Sequence, residues 1–108
     1  MPLFLVRLVH PDEESWKRWV RQHVAWVQEH VAQGVIVASG PSVGTATRQG
    51  WLVMRAADES VLRELIATDP FWDAGVIEDL LIVQWDPIFG HLAELSSSPN
   101  GIDLSVLP

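Results

Sequence analysis

The chain has 108 residues, seven Lys/Arg against 14 Asp/Glu for a net charge of −7, and no cysteine. That length makes one domain, which on folding buries roughly two-thirds of its unfolded surface and so has a single real core. The absence of cysteine excludes disulfides, thiolate metal sites and a cysteine nucleophile, and the acidic balance without a Lys/Arg cluster makes nucleic acid and anionic membrane poor partners.

The opening, Met1-Pro2-Leu3-Phe4-Leu5-Val6-Arg7, has no basic start, and its apolar run is too short for a signal peptide or a membrane span. A cytoplasmic location is expected. Leu3 to Val9, ended by His10-Pro11, reads as a strand. Asp12-Glu13-Glu14-Ser15 supplies acidic residues and a cap for a helix that runs to about Gln33, where Gly34 stops it. Val35 to Ala38 reads as a second strand, Ser39 to Gly50 as a Gly/Ser/Thr-rich loop, and Trp51 to Arg55 as a third strand. Asp58 caps a helix over Glu59 to Thr68, whose Val61, Leu62, Leu65 and Ile66 form one stripe. After Asp69-Pro70, Ile77 to Trp85 is a fourth strand. The order βαββαβ is the ferredoxin-like pattern, an α+β fold whose four-stranded antiparallel sheet carries both helices on one face.

The first strand is apolar on both faces, as is the fourth, where Leu80 and Ile82 alternate with Leu81, Val83 and Trp85. Two helices cover one face only, so the other is expected to meet a second copy of the chain in a homodimer. The alternative is that the tail folds back over it. Residues 1–90 then form the domain, and 91–108 a C-terminal tail with a Ser96-Ser97-Ser98-Pro99-Asn100-Gly101 linker, either laid on the partner subunit or frayed.

At about 100° per residue, Trp16, Trp19, Val20, His23, Val24, Trp26, Val27, His30 and Val31 fall on one arc of roughly 160°. His23 lies near its middle, either as a core histidine satisfied by one carbonyl or as a reactive imidazole. At the end of the second helix Asp69 breaks a local rule, because a carboxylate there faces the negative pole of the helix dipole. Pro70 aims it by restricting its backbone. The plainer reading makes Asp69 a cap for the following Phe71-Trp72-Asp73-Ala74-Gly75 segment. Together, His23 and Asp69 suggest an acid–base dyad.

Other motifs are weaker. Gly40-Pro41-Ser42-Val43-Gly44 has the letters of a nucleophile elbow, but a strand rather than a helix follows it, and a phosphate cradle would need a lysine that is absent. His23 and His30 lack a third ligand, so no metal is expected. Arg7, interrupting an apolar strand, either anchors an anionic substrate group or pairs with an acidic side chain near the sheet's end.

His23-Val24-Ala25-Trp26, then Gln33 to Pro41, Gly50 to Met54, Thr68 to Val76 and Trp85-Asp86-Pro87 arrive in the order of the YCII-related family, which residues 3 to 90 resemble. The resemblance implies a dimeric α/β barrel of ferredoxin-like subunits. It also implies an active site pairing the first-helix histidine, here His23, with the aspartate of the Asp-Pro motif, here Asp69, beside a cleft lined by the Gly40-Pro41 loop. The family includes an enzyme that eliminates chloride from a chlorinated hydroxyquinol, and fold relatives include muconolactone isomerases. The expectation is a small cofactor-independent lyase or isomerase acting on a ring-sized, enolisable molecule. His23 and Asp69 are expected as its catalytic residues and Ser39, Gly40, Pro41 and Phe71 as substrate-binding; Arg7 and Trp26, which lie outside the family's pattern, are expected to bind substrate on the reading of the residues alone. The rival is a non-catalytic dimeric module for a small ligand, or an accessory protein of a catabolic or biosynthetic pathway.

Overall fold

The computed structural model describes residues 1–98 and 101–108. Its elements are β1 (Leu3–Val9), α1 (Glu13–Ala32), β2 (Ile36–Pro41), β3 (Gln49–Arg55), α2 (Glu59–Ile66), a short α3 (Pro70–Asp73) and β4 (Asp79–Trp85), followed by single 3₁₀ turns at Ala93–Leu95 and Leu104–Val106. All strand pairs are antiparallel, in the order β2-β3-β1-β4. The expected α+β, ferredoxin-like βαββαβ arrangement is therefore the fold, with α3 added between α2 and β4.

Local chemistry sets the helix ends. The Asp12 carboxylate accepts the N–H groups of Glu14 and Ser15 at the start of α1, and Asp58 accepts that of Val61 at the start of α2. Gly34, at φ 75°, turns α1 off: the Val35 N–H donates to the His30 carbonyl and the Gly34 N–H to that of Val31. This double bond pattern needs a left-handed residue, a conformation that only glycine adopts without strain.

Strand parity sorts β1. Phe4, Val6 and Leu8 are buried in the core with Ile36, Leu52, Met54, Leu62, Ile66 and Trp26, while Leu5, Arg7 and Val9 face the other way. On that second face the register sets Leu5 between Val53 and Val83, and Arg7 between Trp51 and Leu81. Trp51, Leu81, Val83 and Trp85 remain exposed there. No helix of the described chain covers this surface.

Several boundaries differ from the sequence reading: α2 ends at Ile66, β4 begins at Asp79, and β3 already begins at Gln49. β2 continues through Ser39, Gly40 and Pro41, which pair with Leu52, Trp51 and Gly50 after a register shift between Ile36 and Ala38. Residues with poor strand propensity are held there because β3 offers them a ladder, and Pro41, at the strand's end, costs little for its missing N–H. The loop shrinks to residues 42–48, tied by Ser42 and Thr45, whose hydroxyls lie 2.6 Å apart. In the tail, Asp86 gathers the Ser96 hydroxyl and the backbone N–H and hydroxyl of Ser97. Pro99 and Asn100 of the expected linker lie outside the described residues.

Candidate active site

Pro70 keeps Asp69 extended, at φ −63° and ψ 129°, so Asp69 begins α3 instead of ending α2. Its carboxylate accepts the Phe71 N–H at 3.0 Å, which makes it an N-cap at the favourable end of a helix. The apparent conflict with the α2 dipole thus disappears, and the plainer reading of Asp69 as a cap is correct. It is not the whole role. Asp69 is only 1% exposed, and both of its oxygens also face His23 Nδ1, at 2.8 and 3.0 Å. Two elements 46 residues apart in sequence meet at this hydrogen bond.

The contact fixes the imidazole. A carboxylate only accepts, so Nδ1 carries the proton and donates it to Asp69, leaving Nε2 as the nitrogen with a free lone pair. The Phe71 ring lies parallel to the imidazole, 5° between planes and 4.1 Å between centroids. A bond at one edge and a ring against one face leave His23 little freedom.

His23 borders a cleft of about 420 Å³, lined on the helix side by Trp16, Val20, Val24 and Val27, and on the strand side by Ser39, Gly40, Pro41, Arg48, Gln49 and Gly50. The volume suits a one-ring molecule, and the lining is mostly apolar with a few polar groups, as small-ligand sites are. A larger cleft, about 500 Å³, lies between the N-terminus and the tail around Leu3, Trp85 and Ser96. Its ionisable side chain, Asp86, is already bonded to serines, so it offers no comparable chemistry.

The expected site residues divide. The structure brings together His23, Asp69, Phe71, Ser39, Gly40 and Pro41. Trp26 sits in the core beside this group, its indole N–H donating to the Thr68 hydroxyl at 2.8 Å, and does not line the cleft. Arg7 is on the opposite face of the sheet, bonded to Asp79 at 2.9 Å, because odd-numbered positions of β1 point away from the helices. The ion-pair alternative for Arg7 is the observed one. His30 is satisfied by the Trp26 carbonyl at 2.7 Å.

The expected site lacked the two other ionisable residues of the cleft, Arg48 and His10. Arg48 supplies the positive charge that Arg7 does not, with its guanidinium 3.7 Å from the centre of the Trp16 ring and bonded to Glu13 at 3.1 Å. Nothing local in the sequence points it there. His10 continues the parity of Phe4, Val6 and Leu8 past the end of β1, and that alternation was the available signal. Its ring is 6.4 Å from that of His23 and 5.1 Å from Phe71.

His10 is 3% exposed, and burial, reinforced by the neighbouring His23, lowers its pKa to about 4, with Asp69 opposing and Arg48 adding to the shift. His10 is therefore neutral at pH 7. The unfolded chain takes up a proton near pH 6.5 where the folded chain does not. This contribution is complete above about pH 6.5 and is lost as pH falls toward 4, on the order of 3 kcal/mol in all. Denaturant titrations of the wild-type protein and His10→Leu across pH 4–7 are expected to show a steeper acid loss in the wild type. Parallel curves would refute it.

The fold and this cleft define a ferredoxin-like α+β protein with a carboxylate-held histidine over a small-molecule-sized cavity. A family model for the YCII-related domain matches residues 3–86, and the chain belongs to that family. Among solved structures, it is similar to the 5-chloro-2-hydroxyhydroquinone dehydrochlorinase of Burkholderia phenoliruptrix AC1100 in complex with 2,5-dihydroxybenzoquinone. The match has 20% identity over 78% of this chain and 93% of that one, with a TM-score of 0.67. A second similar structure, PA3566 from Pseudomonas aeruginosa, gives 14% identity, 78% and 91% coverage, and a TM-score of 0.49. No curated protein matches the chain. Among the described residues, no helix is long and apolar enough to cross a membrane.

Proposed function

We propose that the protein is a small lyase or isomerase that moves a proton on a ring-sized, enolisable molecule, with His23 Nε2 as the base and Asp69 holding its tautomer and stabilising the imidazolium. The observation that carries this is the His23–Asp69 hydrogen bond at the wall of the cleft. A base oriented in this way contributes about 10²–10⁴-fold to a proton transfer. Ser39, Gly40 and Pro41 shape the mouth, Phe71 braces the base, and the pair can act without a cofactor. The dehydrochlorinase likeness supports a small oxygenated, halogenated ring as the substrate class, since that relative acts on such a compound.

The test is release of chloride from 5-chloro-2-hydroxyhydroquinone, followed for the wild-type protein and for His23→Ala. Turnover abolished by the substitution is the expected result. If the wild type is silent but binds 2,5-dihydroxybenzoquinone equally with or without the imidazole, the reading fails in favour of a ligand-binding module.

The same proposal includes a homodimer located in the cytoplasm. The uncovered face around Trp51, Leu81, Val83 and Trp85 exposes apolar side chains, and a second copy of the sheet is its economical cover. Light scattering is expected to give twice the monomer mass, reduced to the monomer by Val83→Glu. A wild-type monomer at micromolar concentration would disprove the dimer.

A further inference from the structure

Within the reading of His23 as the base, His10 has no assigned task, yet it is the second imidazole of the same cleft. Its Nδ1 is buried and has no hydrogen-bond partner. Its Nε2 faces Gly50, itself a cleft residue, and a Cβ added at Gly50 would stand 3.2 Å from that nitrogen. Burying an unpaired N–H is rarer and costlier than burying an unpaired lone pair. The proton of neutral His10 therefore belongs on Nε2, the nitrogen beside the cleft. His23 has the opposite arrangement, its proton engaged with Asp69 and its lone pair free. One ring can only accept and the other can only donate.

We infer that His10 is a second catalytic residue, whose Nε2–H donates a hydrogen bond to the substrate oxygen on which negative charge collects while His23 removes the proton. In the step, His23 Nε2 takes a proton from a carbon next to a carbonyl, or from a ring hydroxyl in conjugation with one. The electron pair of the broken bond moves through the ring to the carbonyl oxygen, now an oxyanion bonded to His10. When the pair returns, the ring either recovers the proton from His23 at another carbon or expels halide with its bonding electrons. The first outcome is isomerisation, the second elimination. A neutral donor suits an oxyanion, because it stabilises charge without giving up its own proton. Arg48, held by Glu13 and Trp16, adds positive potential at the same end of the cleft.

This inference predicts opposite tautomers in one protein. Long-range ¹H–¹⁵N spectra of the imidazoles at pH 7 are expected to show His10 protonated on Nε2 and His23 on Nδ1. A His10 proton on Nδ1 overturns the inference, whatever becomes of His23. The second arm uses 2,5-dihydroxybenzoquinone as the probe with His10→Leu and His10→Gln, the latter carrying an amide N–H near the position of Nε2. His10→Leu should weaken probe binding at least tenfold and lower any turnover about 10²-fold, with KM changing far less than kcat, and His10→Gln should restore most of both. Equal probe affinity in wild type and His10→Leu, including none in either, also overturns it. A wild type that turns nothing over, yet loses probe binding in His10→Leu and keeps it in His10→Gln, removes the proton shuttle and leaves the donor in place.

Discussion

Asp69→Asn is expected to lower turnover by about 10²–10⁴-fold while the protein stays folded and 2,5-dihydroxybenzoquinone affinity changes little. The amide oxygen can still accept the Phe71 N–H, so the cap of α3 survives. What is lost is the carboxylate at His23 Nδ1. An amide is donor at one end and acceptor at the other, so it no longer enforces the Nδ1–H tautomer and no longer offsets the charge of an imidazolium. Nε2 then spends much of its time protonated and unable to accept. The ¹⁵N spectrum of His23 reports the tautomer directly, and kcat reports its consequence. A variant that keeps full turnover, or in which His23 retains a single tautomer, would mean that the contact is only structural.

The second large effect concerns Phe71. It is fully buried, is the buried residue of the four-residue α3, and stacks on His23. Phe71→Ala removes a whole ring from a position that cannot easily collapse, because Val76 N–H is bonded to the Phe71 carbonyl and Asp69 caps the turn on its other side. The expected loss is about 3–5 kcal/mol, read as a lower urea midpoint at constant m-value. Phe71→Leu, which refills part of the space, should lose less stability but still loosen His23, so its turnover should fall more than its stability. A Phe71→Ala loss under about 1 kcal/mol would show that α3 is not part of the cooperative core.

Legibility differed sharply between elements. The order of strands and helices could be read because alternation in β1 and β4 and the 3.6-residue stripe of α2 are local signals. The end of α1 at Gly34 was equally local. β2 was cut short at Ala38 because Ser39, Gly40 and Pro41 look like loop, and only pairing with β3 makes them strand. The His23–Asp69 contact was only half legible: each residue had an innocuous reading, and the family resemblance joined them. For Asp69, the helix-end argument pointed to the right residue for the wrong reason, since the carboxylate caps the next helix instead of opposing the last. Arg7 drew attention as the one charge in an apolar strand, although its parity already sent it to the far face. His10 was passed over as a strand terminator, although its parity sent it to the core.

The sequence by itself determined the βαββαβ order, the two apolar faces of the sheet and the caps at Asp12, Asp58 and Gly34. These follow from backbone preference and hydrophobic period within a few residues of each position. The tertiary structure alone decided that His23 meets Asp69 across 46 residues, that His10 and Arg48 come to the same cleft, and that Trp26 does not. Those outcomes depend on how α1 lies across the sheet and where α3 begins. Packing of distant surfaces sets that geometry, and no local pattern encodes it.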